Sequence, residues 1–291
     1  MQKKLKLSQA FFWIILSTII FSSFNFFVFF QIKKYKQNKY KDEKYNIKKI
    51  YQSNQVSLDV NYLSELMHLS TDNPTNIFLF DEVKAQKKLL SSPLIIDANI
   101  KKNKPDCLSL DLKIRHPKAL LYDYDNIAID EEGFIFFLKP FFNNLDLPSV
   151  YLDLGRFSGL KKIEKKEATL ALDILQKLQT SGFSDLAKIK LLDTSRAFIR
   201  SYGKREVLLQ IDEQINAYKD QKNVKLVFPT ILRLSQNNLL EQISNYISLR
   251  EKILKDYENQ LKHISDPSQD VVTFKPKTID LRISKLAFID Q

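Results

Sequence analysis

The sequence predicts an α+β protein: a single N-terminal transmembrane helix, then a small βααββ domain, then a mostly antiparallel β domain with helices packed on one face. Three observations carry this prediction. Residues 10–30 form a run of 21 positions without a charge. Leu108, Leu110, Leu112 and Ile114 alternate with Ser109, Asp111, Lys113 and Arg115, the period of a half-buried strand. Beyond Pro117, short apolar runs separated by Asp, Asn and Gly turns dominate, interrupted by two helical patterns. A chain of 291 residues, 44% hydrophobic and 27% charged, has material for one or two packed cores.

The 21-residue run is about 31 Å long as a helix, which matches a hydrocarbon core of about 30 Å. A cleaved signal peptide has an apolar stretch of only about 7–15 residues and a small-x-small site, whereas the far flank here reads Phe29-Phe30-Gln31-Ile32-Lys33. The run is therefore expected to be an uncleaved anchor. Formal charge is +11, but residues 1–50 hold 11 lysines against Asp42 and Glu43, which leaves the remainder nearly neutral. A groove that neutralises phosphates needs its cations on the folded domain, so nucleic acid is not expected as a partner. Three lysines precede the run and eight follow it; read literally, the positive-inside rule puts the carboxy-terminal domains in the cytoplasm. Long domains translocate with little regard to such charge, and the lysines equally suit a patch held against anionic headgroups.

The remaining elements follow from punctuation. Residues 1–9 are a tail, 10–30 the span and 31–46 a basic linker, composed as a stalk or frayed helical extension. Residues 47–116 form the small domain. Ile47–Gln52 is a strand, Asp59 caps a short helix carrying Leu63, Leu66 and Met67, and Asp81 caps a second over Glu82–Leu90, stopped by Ser92-Pro93. Strands follow at Leu94–Lys101 and over the alternating segment. Residues 117–291 form the β domain. Its strands are Ala119–Tyr122, Ile127–Asp130, Phe134–Leu138, Lys188–Leu192, Ala197–Ser201, Glu206–Ile211, Val224–Phe228 and Thr278–Ile289. Its helices are Lys165–Thr180, with Gly182 beyond its end, and about Leu239–Ile264.

Reactive constellations are absent from the pattern. His68, His116 and His263 lie in different elements without metal-ligand spacing, and no nucleophile elbow or Gly-rich phosphate loop occurs. Asp130, Glu131 and Glu132 are neighbours in a hairpin turn, expected to point apart and stay solvated. Cys107 has no nearby histidine and reads as a passive half-buried thiol. No catalytic residue, metal site, cofactor or small-molecule substrate is expected. In the long helix, Leu240, Ile243, Ile247, Arg250, Leu254, Tyr257, Leu261 and Ile264 alternate by three and four. That stripe either packs on the domain's own sheet or forms a coiled-coil seam, and Arg250 favours packing.

Several stretches in order carry a resemblance: Asn76-Ile77-Phe78-Leu79-Phe80-Asp81, Lys104-Pro105-Asp106-Cys107-Leu108-Ser109-Leu110, His116-Pro117-Lys118-Ala119, Ile129-Asp130-Glu131-Glu132-Gly133-Phe134-Ile135-Phe136, Leu147-Pro148 and Ile279-Asp280-Leu281-Arg282. With the basic tail and single span, the chain resembles the bacterial cell-division family FtsQ/DivIB. The resemblance implies that the βααββ module is a POTRA domain and that the protein is a non-enzymatic inner-membrane scaffold at the division septum. It also implies a cytoplasmic amino terminus and periplasmic domains. Partners would be FtsB/FtsL-type division proteins, with an FtsW/FtsI-type synthase as a further one. A POTRA-bearing adaptor for secretion or envelope assembly is the alternative, and a membrane-anchored cell-wall enzyme a more distant one. The last strand, at the end of this sequence, is expected to expose an edge to which a partner adds a strand. The expected docking residues are Arg282, Ile283, Ser284, Lys285, Leu286, Ala287 and Phe288, with Arg282 in the stretch that matches the family.

Overall fold

The structure is a computed structural model that describes residues 7–53, 57–143, 145–219, 222–261 and 271–290. Two units divide between Ile114 and Arg115. The first begins with helix α1 (Leu7–Lys41), long and apolar enough to cross a membrane, none of whose apolar window is buried. The helix does not stop at the last phenylalanine. It continues through the lysine-rich segment to Lys41, where the sequence offers neither Gly nor Pro to break it. Lys39 and Lys41 in its last turn also suit the negative end of the helix dipole. Most of the expected linker is thus helix.

The end of α1 is fastened to the rest of the unit by one buried side chain. A helix leaves its last carbonyls without partners, and here the Asn76 amide nitrogen donates to the carbonyls of Lys39 at 2.9 Å and Tyr40 at 3.1 Å. The Asn76 carbonyl oxygen accepts from the Phe78 amide at 3.0 Å, so both ends of the side chain are used. Removing it strands buried groups. Asn76→Ala is expected to cost about 1–2 kcal/mol and to loosen the joint. Spin labels at Lys36 and Lys101 should then show a broadened distance distribution; an unchanged one would mean that the cap does not hold the joint.

Strands β1 (Lys49–Gln52), β2 (Ile95–Asn103) and β3 (Cys107–Ile114) form a sheet with β3 central, parallel to β1 and antiparallel to β2. Helices α2 (Val60–Leu66) and α3 (Glu82–Leu89) connect β1 to β2 at the opposite edge, and β3 then returns between the two strands. The expected caps are present: Asp59 accepts from the Asn61 amide and Asp81 from the Lys84 amide. Along β3, Leu108, Leu110, Leu112 and Ile114 are buried while Asp111 and Lys113 are exposed, as the alternation requires. Leu63, Met67, Ile77, Ala85 and Leu89 complete the core.

The second unit is one ten-stranded sheet with its helices on one face. A meander of β4 (Ala119–Leu121), β5 (Ile127–Ile129) and β6 (Ile135–Phe137) leads to β7 (Ser149–Tyr151). Helix α4 (Lys166–Thr180) and the short α5 (Phe183–Leu186) then precede β8 (Lys188–Asp193). A long hairpin, β9 (Val207–Lys219) and β10 (Lys222–Leu234), is followed by α6 (Leu239–Leu261), β11 (Val271–Thr273), β12 (Lys277–Asp280) and β13 (Phe288–Ile289). The order across the sheet is β13-β12-β10-β9-β8-β7-β4-β5-β6, with β11 also on β10. Among the described residues, five of its pairings are antiparallel and four are parallel: β4 with β7, β10 with β11, and two made by helix crossovers, β7 to β8 through α4 and β10 to β12 through α6. Both crossovers step the same way along the sheet from strands pointing the same way, so right-handedness puts both helices on one face. They share a core: Ala171, Ile174, Leu175 and Leu178 of α4 and Ile243, Tyr246 and Ile253 of α6 lie with Leu209, Ile211, Phe228 and Leu232 of the sheet.

Several expectations need correction. Ala197–Ser201 is turn, with Ala197 buried beneath it. The β9–β10 hairpin is far longer than the expected strands, and β7 was not among them. The Thr278–Ile289 strand is two strands joined by a turn, so of the expected docking residues only Phe288 lies in a strand and Arg282–Ala287 do not. The stripe on α6 is also rotated. Ile243, Tyr246 and Ile253 are buried, whereas Leu240 and Ile247 of the expected seam are exposed. Tyr257, Leu261 and Ile264 fall outside the described side chains. Asp130 is not solvated: it is 3% exposed, takes Arg115 at 2.5 Å and accepts the amides of Glu132 and Phe134. It is the organiser of its turn. Cys107 is buried rather than half-buried, and burial raises its thiol pKa, which suits an inert thiol.

Candidate docking edge

Strand β12 is locked between β10 on one side and β13 on the other. Its inward residues, Ile279 and the following Leu281, are fully buried, and the Leu281 amide continues the ladder onto the Arg233 carbonyl at 2.9 Å. The chain then reverses. Leu286 N–H donates to the Ile283 carbonyl at 3.2 Å, and Lys285 takes a left-handed backbone with φ of 61°. Ile289 pairs with Ile279 and Phe288 with Asp280, and Asp290 N–H donates to the Thr278 carbonyl at 2.9 Å. In an antiparallel ladder, hydrogen-bonded and non-bonded pairs alternate. Ile289 is therefore a non-bonded position, and its N–H and C=O point away from β12. No described strand lies beyond β13, so this is an open edge of the sheet, with β6 at the other end.

The side chains around that edge are unusually apolar. Ile283, Leu286 and Phe288 are each more than half exposed, and Ile289 is 39% exposed. Ala287 packs inward against the core. Ser284 Oγ donates to Glu241 on α6 at 2.8 Å, which ties the turn to the helix that carries exposed Leu240 and Ile247. The expected docking residues thus divide. Ile283, Ser284, Lys285, Leu286 and Phe288 are exposed at one end of the sheet, whereas Ala287 is structural.

Arg282 is occupied internally. Its Nε and Nη2 grip both oxygens of Asp280 at 2.7–3.1 Å, and Nη1 donates to the carbonyls of Gly203 and Arg205. Arg233 bridges Asp280 and Glu206, and Arg196 approaches Glu206 from the far side. Five alternating charges therefore root the hairpin to the loop before β9. Burial raises the Asp280 carboxyl, but Arg282 and Arg233 together outweigh it and hold the group below its ordinary value. The same balance, with Arg233 and Arg196, holds Glu206 low. Ile289, with its outward backbone groups, and the exposed Leu240 and Ile247 were missed in the sequence; the signal available was their apolar character on an otherwise polar surface.

A groove of about 740 Å³ is lined by Lys118, Asp146, Asp185, Lys188 and Asp212 among others, but Lys188 pairs with Asp146 and Lys118 with Gln179. His68 and His116 are exposed and belong to different units, and His263 lies outside the described residues. Among the described residues, no group of His, Cys, Asp and Glu is arranged to hold a metal ion. No protein-family model matches this chain, and no curated protein matches it.

Proposed function

We propose that the chain is a bitopic inner-membrane scaffold of cell division, of the FtsQ/DivIB kind, that gathers FtsB/FtsL-type proteins and an FtsW/FtsI-type synthase at the septum. In this reading α1 is the span, the amino terminus is cytoplasmic and both units are periplasmic. The first unit is then a POTRA domain and the second the family's β domain. One observation carries the reading: an open sheet edge at β13, flanked by Ile283, Leu286, Phe288 and Ile289, all exposed. Unpaired backbone groups supply affinity for an added strand, and the flanking apolar side chains supply selectivity. Support also comes from the element order of the first unit and its β1-β3-β2 sheet. Tethering partners in one membrane raises their effective concentration, so a two-residue edge suffices as one contact of several.

Ile289→Pro tests the edge. Its N–H faces outward, so proline removes no bond to β12 but blocks an incoming strand. Capture of an FtsB/FtsL-type pair by the co-reconstituted chain should fall by about tenfold or more, with thermal unfolding unchanged. Undiminished capture by this variant would sink the proposal. Topology is tested separately by a Cys107→Ser, Asn143→Cys chain in spheroplasts with a membrane-impermeant thiol reagent. Labelling before lysis is expected; labelling only after lysis would put the units in the cytoplasm.

A further inference from the structure

Eight lysines lie between residues 33 and 49, opposed only by Asp42 and Glu43. A charge run of this kind on a flexible tether would simply be solvated. Here it is held in place, because α1 continues unbroken to Lys41 and Asn76 fastens its final carbonyls to the first unit. The continuous helix allows heights above the bilayer to be assigned. If the hydrocarbon ends near Phe30, Lys33, Lys34 and Lys36 stand about 4–9 Å beyond it, within a headgroup layer about 5–7 Å thick or at its surface. Lys39 and Lys41 stand about 13–16 Å out, about one physiological Debye length above the headgroups. Spacing of 3.6 residues per turn spreads these lysines around the helix, so they form a collar rather than a stripe.

The folded unit adds to this collar at the same height. The Lys39 ammonium lies 4.5 Å from the Tyr35 ring centroid and 5.7 Å from that of Phe78, and Lys104 lies 5.3 Å from Phe78. Phe78 thereby gathers a helix lysine and a lysine between β2 and β3 at the membrane-proximal end of the unit, with Tyr40 and Tyr45 beside it. No described ion pair neutralises Lys33, Lys34, Lys36, Lys39, Lys41, Lys44 or Lys104.

We propose that this collar, Lys33, Lys34, Lys36, Lys39, Lys41 and Lys44 with Lys104 of the fastened unit, is a binding site for the headgroups of anionic phospholipids. It rests on the reading that α1 spans the bilayer, and it holds on whichever side the units lie. It also gives the lysines after the span a task other than setting orientation, which removes their conflict with translocated domains. Tyr35, between Lys34 and Lys36, places an amphipathic ring at the headgroup layer.

The test uses the full chain carrying Lys3→Gln, Lys4→Gln and Lys6→Gln, so that the tail in the opposite leaflet contributes no charge. Resistance to alkaline carbonate extraction from purely zwitterionic vesicles reports the span by itself. In mixed vesicles, spin-labelled phosphatidylglycerol should associate with the chain roughly fivefold more strongly than spin-labelled phosphatidylcholine. The preference should shrink in high salt and persist against inorganic phosphate at matched ionic strength, which separates a lipid site from a free-phosphate site. Adding Lys33→Gln, Lys34→Gln, Lys36→Gln and Lys39→Gln, the collar lysines nearest the headgroups, should bring the ratio close to one while carbonate resistance is kept. Equal association of the two lipids with the parent chain, loss of the preference to inorganic phosphate, or an undiminished preference after the four substitutions would each overturn the site. Carbonate extraction of the parent chain would instead overturn the span.

Discussion

Arg250→Met is expected to destabilise the second unit by about 3–5 kcal/mol, because it strands a buried carboxylate. Glu213 lies on β9 under α6 and is 1% exposed. One of its oxygens accepts from the Tyr246 hydroxyl at 2.5 Å and the other from Arg250 Nε at 2.6 Å. Burial, then the charge of Glu213, pushes the Tyr246 phenol far above its ordinary value, so it stays a donor at any working pH. Without Arg250, one phenol faces a charge that needs a countercharge. Thermal unfolding of the full chain in mild detergent should show the loss. Glu213→Leu combined with Arg250→Met should restore most of it, because paired removal leaves an apolar contact in place of an orphan charge. A single variant as stable as the parent would show that Glu213 is neutralised in some other way. The triad sits where α6 crosses the sheet, so its loss should also weaken the support of the crossover strands β11 and β12.

How much of this was legible beforehand depends on the range of the interaction. The long apolar helix, the caps at Asp59 and Asp81 and the alternation along β3 are set by near neighbours, and each was read from its own few residues. Arg250 was seen only as a flaw in an apolar stripe, because Glu213 is far away in sequence; with the partner known, the flaw is the anchor and the helix turns to bury Tyr246. The long hairpin escaped notice because β9 carries Gln210, Asp212, Glu213 and Gln214 among its apolar residues, and a polar residue such as Glu213 is buried only through tertiary pairing. At the candidate docking edge Ile283, Leu286 and Phe288 are exposed, but the turn among them was missed. Its left-handed position is Lys285, and without Gly or Asn there the sequence reads as continuous strand. Arg282 was read as reaching a partner, since a sequence does not show that Asp280 and two carbonyls already hold its fork.

Acid should release the hairpin root. Glu206 and Asp280 both sit below their ordinary values of 4.5 and 3.8, in each case because arginine partners outweigh a burial that acts the other way. The unfolded chain therefore binds protons before the folded one does as pH falls. These groups contribute stability fully above their ordinary values and lose it as pH drops through the lower folded ones, so the window opens below about pH 4.5. The contributions are unequal. Arg196 is 64% exposed and its pair with Glu206 is largely screened by solvent, whereas Arg233 and Arg282 lie closer to the sheet. Glu206→Gln with Asp280→Asn is expected to cost about 2–3 kcal/mol at pH 7. Its stability should also change less than that of the parent between pH 6 and pH 3. Parallel pH profiles for the two chains would show that the five-charge ladder does not hold the fold. Because Arg282 and Arg233 meet at Asp280, the same variant should loosen β13 and reduce strand capture at the open edge, whereas Ile289→Pro blocks capture with the ladder intact. A chain that loses its acid limb yet captures partners normally would separate the root of the hairpin from its docking edge.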